Sequence, residues 1–451
     1  MNASDLGDLA RDLAARARGT EQVEAYVVRS RDTEIEVFDG DVESLSVASV
    51  EGVGVRVVVD HREGYAWCGS LDADAAAETL AEARDNAGFA VADEWAGLPE
   101  RDDFDWPKPH VDPYSAQLAS VPTDEKVAIA LAVERATRSA DPRVRGVEAA
   151  GYGDSMVEAA IASSFGIVAD MRRTTCSAHA FAMAGEGVET QTGAGFVVGR
   201  TIEDLDVDRV ARDASSRAVR LLGATQPRSQ RVPVIFDPLV TRSLVGLVGA
   251  AVSGDAVTRG RSMFVDRLGE TVAAPNVTIV DDPTFPGALG ATPSDAEGVP
   301  TRRNTVVEGG TLAAFLLNTR TGRRCGSGTT GSAVRGGFKT VPGAGARALF
   351  LEPGTRSPQD IMASVPEALY VQSVSGLHSG TSIVSGDFSV GAEGLLVRDG
   401  EFAEPVREVT IASTLPRMLL DIAEVGNDLE WLPGNAAGMT LLVAEMTLSG
   451  R

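Results

Sequence analysis

Residues able to do chemistry are few in this chain and widely spaced. Its four histidines, His61, His110, His179 and His378, never share a helical turn. A zinc site needs His, Cys, Asp or Glu gathered at ligand spacing, and the helical motif H-E-x-x-H is absent. The stretch "GLHSGTSIVSGDFSVGAEG" (376–394) brings His378, Ser379, Ser385 and Asp387 close in sequence. On a strand, however, neighbouring side chains point to opposite faces, so His378 and Ser379 do not make a base and nucleophile. No G-x-S-x-G elbow occurs either. The glycine- and serine-rich "CGSGTTGSAVRG" (325–336) could aim backbone N–H groups at an anion. An ordered loop is the better reading of that composition.

One segment stands out for what it lacks. "DPLVTRSLVGLVGAAVSGD" (237–255) follows the apolar strand "VPVIF" and has helix signals at both ends. Asp237 is placed as N-cap, Pro238 as the first helical residue and Gly254 as the exit. The residues between are Val, Leu, Gly, Ala and Ser, with Thr241 and Arg242 the chief exceptions. Neither the phosphate loop G-x-x-x-x-G-K-[ST] nor the dinucleotide fingerprint G-x-G-x-x-G is present.

The surrounding elements predict an α+β fold in which two related α-β-α segments, an internal duplication, precede a large β-dominated C-terminal domain. Residues 1–96 open with an amphipathic helix whose Leu6, Leu9 and Leu13 share a face. Four strand-like runs follow, "VEAYVVRS", "TEIEVFDGDVESLSVASV", "GVGVRVVVD" and "GYAWCGS", punctuated by Asp-Gly and Glu-Gly turn signals, and then an Ala-rich helix. The Pro-rich, charged segment 97–115 reads as a linker. Helix, strands and helix recur over 116–223, where "MVEAAIASSFGIVADMRRT" aligns with "VESLSVASVEGVGVRVVVD" as strand, turn, strand. A second linker, 224–231, leads to the Gly-rich domain 232–451.

Composition narrows the function classes. The formal net charge is −23, and only Lys108, Lys126 and Lys339 are lysines, so a phosphate backbone would be repelled and nucleic acid is not an expected partner. The three cysteines, Cys68, Cys176 and Cys325, are odd in number and far apart, which fits a reducing cytoplasm rather than a disulfide framework. The apolar run Leu244–Val252 is less than half of the ~20 residues a membrane span requires. A cytoplasmic protein without a membrane anchor is expected.

Several long stretches resemble the TldD/PmbA metallopeptidase family. They are "DGDVESLSVASVEGVGVRVVVDHREGYAWCGS", "RSMFVDRLGETVAAPNVTIVDDPT", "TTGSAVRG", "GLHSGTSIVSGDFSVGAEGLLVRDGEFAEPVREVTIAS" and "AEVGNDLEWLPG", and the likeness runs through nearly the whole chain. The catalytic TldD branch carries H-E-x-x-x-H on a helix just before Gly-Asp, and a C-G-K-x-G-Q loop after G-N-D-[LF]. Aligned on Ser253-Gly254-Asp255, those ligands fall on Val245 and Ala250 and the glutamate on Gly246. After Gly426-Asn427-Asp428-Leu429 the chain reads "EWLPGNAAGM", without the cysteine loop. The resemblance is therefore to the PmbA branch, also called TldE. It implies a chain with no catalytic residues and no metal of its own, working as a subunit of a heteromeric zinc metallopeptidase. A TldD-type partner would carry the zinc, and the substrate would be an unfolded peptide. The alternatives are a peptide-binding homodimer without proteolysis and an independent hydrolase. Ser375, Gly376, His378 and Ser379 are the candidate contacts in a peptide channel, because glycine-rich strand edges bind extended peptides through their backbones.

Overall fold

The computed structural model describes residues 3–451, with side chains from Asp5 onward. The N-terminal half holds α1 (Ala3–Ala15), β1 (Gln22–Phe38), β2 (Asp41–Val59), β3 (Arg62–Cys68) and α2 (Ala73–Phe89). After α3 (Ala116–Ser120), the same order returns as α4 (Thr123–Ser139), β4 (Val144–Ser163), β5 (Val168–Ala184), β6 (Gln191–Gly199) and α5 (Val207–Val219). Helix, three strands and helix thus occur twice. The two copies do not stand apart, however: β1 pairs antiparallel with β4 over Glu24–Val37, giving one six-stranded sheet in the order β3-β2-β1-β4-β5-β6.

Alternation along the long strands sorts the faces of this sheet. Val23, Ala25, Val27, Ile35 and Val37 of β1 point to the helices and are fully or almost fully buried. Leu6 and Leu13 of α1 pack there with 1 % and 0 % exposure, each worth ~2 kcal/mol of transfer free energy. The opposite face carries Glu24, Tyr26 and Val28 and meets the C-terminal domain.

Two sequence expectations need correction. The Asp39-Gly40 turn forms, with φ of 52° and 86°, but Glu51-Gly52 lies inside the straight strand β2. A Cβ on Gly52 would stand 2.5 Å from Phe338 Cε2 and 2.6 Å from the Cys68 carbonyl oxygen, so this glycine serves a close approach and not a turn. For the same reason the expected repeat alignment is out of step. Residues 42–60 are essentially one strand, whereas 156–174 span the β4–β5 hairpin, and the true equivalence is β1 with β4.

The C-terminal domain runs through β7 (Gln230–Phe236), α6 (Pro238–Ala251), α7 (Gly254–Thr258), β8 (Ile279–Asp281), β9 (Asn304–Glu308), β10 (Thr311–Leu312) and α8 (Thr319–Cys325). It continues with β11 (Ala333–Val334), β12 (Gly343–Ala344), β13 (Leu349–Leu351), α9 (Pro358–Ala363), β14 (Glu367–Ser375) and α10 (Leu377–Gly380). It ends with β15 (Asp387–Arg398), β16 (Glu401–Thr414), α11 (Leu415–Leu420), β17 (Ile422–Val425), β18 (Glu430–Trp431), β19 (Ala437–Gly438) and β20 (Leu441–Ser449). The main sheet has the order β16-β15-β14-β7-β20-β17, and a further pairing of β16 with β20 closes five of its strands into a ring. Only β7 and β14 run parallel in that ring, and α6 leaves β7 directly to pack on its core. No helix among the described residues is long and apolar enough to cross a membrane.

Candidate functional site

The helix α6 forms where its caps predict. Asp237 accepts the Leu239 N–H at 2.9 Å, and Pro238 occupies the first turn. The capping carboxylate is fixed further by Arg217 at 3.1 Å and by the Tyr370 hydroxyl, which donates to it at 2.7 Å. Burial, and then the charge of Asp237, hold that phenol well above its ordinary range. The helix ends at Ala251, and Gly254, expected as its exit, instead opens α7. A Cβ there would lie 2.4 Å from Thr321 Oγ1, so the residue is small because α8 comes close.

A helix at 3.6 residues per turn gives α6 two faces. Val240, Leu244, Val245 and Val248 enter the core, and Val245 is only 3 % exposed. Arg242, Ser243, Gly246, Gly249, Ala250 and Ser253 line an open cleft of about 660 Å³. Gly246 and Ala250 are exposed on that wall, and nothing lies within 4 Å of a Cβ built on Gly246. Of the three positions that align with the catalytic branch, two therefore face the cleft and Val245 turns away from it.

The opposite walls are backbone-rich: 344–346 on one side and 433–436 on the other. Ser253 Oγ donates to the Ala344 carbonyl at 2.7 Å, and the Ala344 N–H donates to Asp255 Oδ2 at 2.8 Å, clamping α7 to β12. Arg242 Nη1 donates to the Pro433 carbonyl, and burial lowers its pKa from the ordinary value. Asp255 is the one carboxylate in the lining, which holds no imidazole or thiol. That carboxylate already serves Ala344 N and lies 3.5 Å from Arg259. Tetrahedral zinc needs about three such donors, so the residues present do not fit it. Among the described residues no three His, Cys, Asp or Glu side chains gather at metal-binding spacing.

A second groove of about 390 Å³ shares Pro433, Gly434 and Asn435 with the cleft. Its floor is the N-terminal sheet: Asp32 and Glu34 of β1 and Arg173 of β5 lie on the C-terminal-facing side, whereas Asp154 of β4 and Cys176 of β5, also in the lining, turn their side chains toward the helices. Burial pushes the Cys176 thiol up to about 12, so it is a packing residue rather than a nucleophile. Cleft and groove together run from α6 to the sheet. Sequence reasoning missed this groove, because its walls come from residues as far apart in the chain as Asp32 and Asn435. The one local signal was the Pro433-Gly434 turn, in which Gly434 takes a φ of 119°.

The candidate channel residues lie elsewhere. Ser375 ends β14, Gly376 adopts a left-handed φ of 77°, and His378 and Ser379 sit on the helical turn α10. The strand placement expected for His378 and Ser379 is thus not what forms, and none of the four borders the cleft or the groove. Ser379 Oγ donates to the Gly376 carbonyl at 3.3 Å, while Ser385 donates to Asp387 at 2.6 Å, leaving no His–Ser pair. The 325–336 loop is structural. Thr330 Oγ1 donates to Leu317 O, the Gly331 N–H to Thr329 Oγ1, and the Ala333 N–H to Asp295 Oδ2.

Comparison with known proteins agrees with this architecture along its length. Models of the PmbA/TldA metallopeptidase family match domain 1 over residues 23–87, the central domain over 116–222 and the C-terminal domain over 229–450. The metalloprotease PmbA of Escherichia coli O157:H7 is 29 % identical over 430 residues, covering 95 % of this chain and 92 % of that protein. A crystal structure from Thermotoga maritima superposes with a TM-score of 0.89 at 25 % identity, over 99 % of this chain and all of the other. TldE from Thermococcus kodakarensis shares the fold, with a TM-score of 0.86 at 23 % identity and full coverage of both chains. Three family domains in order, a near-complete match to PmbA and the shared fold lead to one conclusion: the chain belongs to the TldD/PmbA metallopeptidase family.

Proposed function

We propose that this chain is the TldE/PmbA-type subunit of a heteromeric zinc metallopeptidase, shaping the peptide path while a TldD-type partner supplies zinc and hydrolysis. The carrying observation is the wall of α6. Where the catalytic branch places its histidines and glutamate, this helix shows Gly246 and Ala250 to an open cleft and buries Val245. The chain keeps the cavity without the donors, as a pseudoenzyme would. The cleft and the adjoining groove, with their exposed backbone, suit an extended unfolded peptide better than the 375–379 turn does.

Assembly is supported by a second observation. The segment 41–51 of β2 pairs with β1 on one side only, because β3 begins its pairing at Val53. All eleven residues are exposed, including Val42, Leu45, Val47 and Val50 at 41–45 %. A long apolar edge of this kind is a site for another chain to dock. We assign it to the TldD-type partner.

The test is to purify the chain alone, measure zinc by elemental analysis, and assay cleavage of an unfolded peptide with and without a TldD-type protein bearing H-E-x-x-x-H. Activity confined to the mixture, with no zinc in the lone chain, is the expected outcome. Stoichiometric zinc or cleavage by the lone chain would overturn it. A peptide-binding homodimer inert in both assays would establish the binding-only alternative.

A further inference from the structure

Behind the groove, between the N-terminal sheet and the C-terminal domain, lies a separate cavity of about 110 Å³. Its wall includes Tyr26, Thr292 and three arginines, Arg173, Arg335 and Arg347, and contains no acidic residue. Arg172 stands at its edge, exposed and paired with Asp112 at 2.5 Å.

Arg335 is ion-paired with Glu24 and lies over the Tyr26 ring, yet guanidinium donors inside the cavity remain open. Arg335, with its side chain 2 % exposed, gives Nη2 to Glu24 at 2.6 Å and to the Ala296 carbonyl at 3.0 Å. Its Nε and Nη1 are buried without a partner. Arg347 gives Nη2 to the Ala333 carbonyl, and its Nε is likewise buried and unpartnered. Arg173 has no ion-pair partner among the described residues, and burial lowers its pKa from the ordinary value. Nearby acids are already engaged. Glu24 is shared with Arg56 at 2.7 Å, Asp281 Oδ1 accepts the Arg347 and Ala348 N–H groups, and Asp295 accepts those of Glu297, Val299 and Ala333. Neither Asp281 nor Asp295 comes within ion-pair distance of Arg347. Buried guanidinium donors left open cost free energy that a paired oxyanion would recover.

We infer that this cavity binds a small oxyanion, a carboxylate or phosphate group, which accepts from the open N–H donors of Arg335 and Arg347 and is closed over by Arg173. Planar guanidinium groups bind either anion through paired N–H donors. The volume admits such a group and little more. Arg173 also borders the groove, so an oxyanion held here adjoins whatever lies along the sheet. A peptide's terminal carboxylate is one source and inorganic phosphate the other. The first source rests on the proposed function, whereas the oxyanion site itself does not.

Isothermal titration calorimetry of the lone chain in low-chloride buffer tests it, with inorganic phosphate, a short free-acid peptide and the same peptide amidated. The expected result is one saturable site for phosphate or for the free acid, with the amide binding at least tenfold more weakly. Arg173→Met should abolish that site while the chain stays folded, since Arg173 has no ion pair to lose. Arg173→Lys, which keeps the charge and removes the fork, should weaken it about tenfold. Binding of phosphate alone would identify the small ion as the ligand, and preference for the free acid would identify a peptide end. No saturable binding of either by the parent chain, or undiminished binding by Arg173→Met, would overturn the site, whatever the cleavage assay shows.

Discussion

At the scale of single residues, the cleft wall distinguishes two glycines that look alike in sequence. A Cβ at Gly246 would meet empty space, whereas one at Gly249 would stand 2.8 Å from Leu349 Cδ2. Gly246→Ala should therefore stabilise the chain by about 0.5–1 kcal/mol through helix propensity alone. Gly249→Ala should gain less or lose stability, because the packed leucine must shift. Urea denaturation of both variants checks the pair, and equal gains would show the Leu349 contact to be inconsequential. The sequence revealed that α6 lacked chemistry, but only the rotation of the helix shows which of the blank positions look outward. Val245 and Ala250, five residues apart, are separated by about 140° around the helix, so one turns inward while the other looks out.

Among elements, the strands were legible in kind but not in length. Alternation matches burial in the second half of β1, whereas β2 is exposed throughout 41–51 and buried on both faces over 52–58. Glycine was the misleading cue: at Gly52 it answers to Phe338, a contact nearly 290 residues distant that no local pattern announces. The same long strands create the open edge of 41–51. Val47→Lys on that edge should leave the lone chain's stability within about 0.5 kcal/mol, since the side chain is already solvated. It should weaken association with a TldD-type partner by tenfold or more, a charge at an apolar docking strand being poorly tolerated. Calorimetric titration of the two chains reads this directly, and unchanged affinity would move the interface elsewhere.

For the molecule as a whole, the decisive contacts are polar ones between sheet and C-terminal domain, and these were invisible in the sequence. Glu24 and Arg56 pair across β1 and β2, and Arg56 reaches Glu297 at 3.1 Å while Arg335 closes the cluster. No spacing rule links residues 24, 56, 297 and 335. Nearby, Asp281 is 1 % exposed and its carboxyl is pushed up to about 6, chiefly by burial. The sign follows from linkage. A carboxyl raised above its ordinary 3.8 favours the folded state at low pH, and that advantage is lost as pH climbs from about 4 through about 6. Asp281→Asn keeps an acceptor for the Arg347 and Ala348 N–H groups and removes the buried charge. Relative to the parent, its stability should improve by roughly 3 kcal/mol between pH 4 and pH 7. Denaturant midpoints across that range measure the difference, and parallel curves would show Asp281 to be ionised throughout.

The seam between β1 and β4 has a further consequence. It stitches the two copies of the repeat along fourteen facing positions, Glu24–Val37 against Ala150–Ser163. The chain also joins them through 97–115, where Trp106 donates its indole N–H to the Pro300 carbonyl and stacks against Arg302. Covalent continuity is therefore incidental to cohesion. The two copies of the element order thus share one body, in which each contributes only half of the six-stranded sheet.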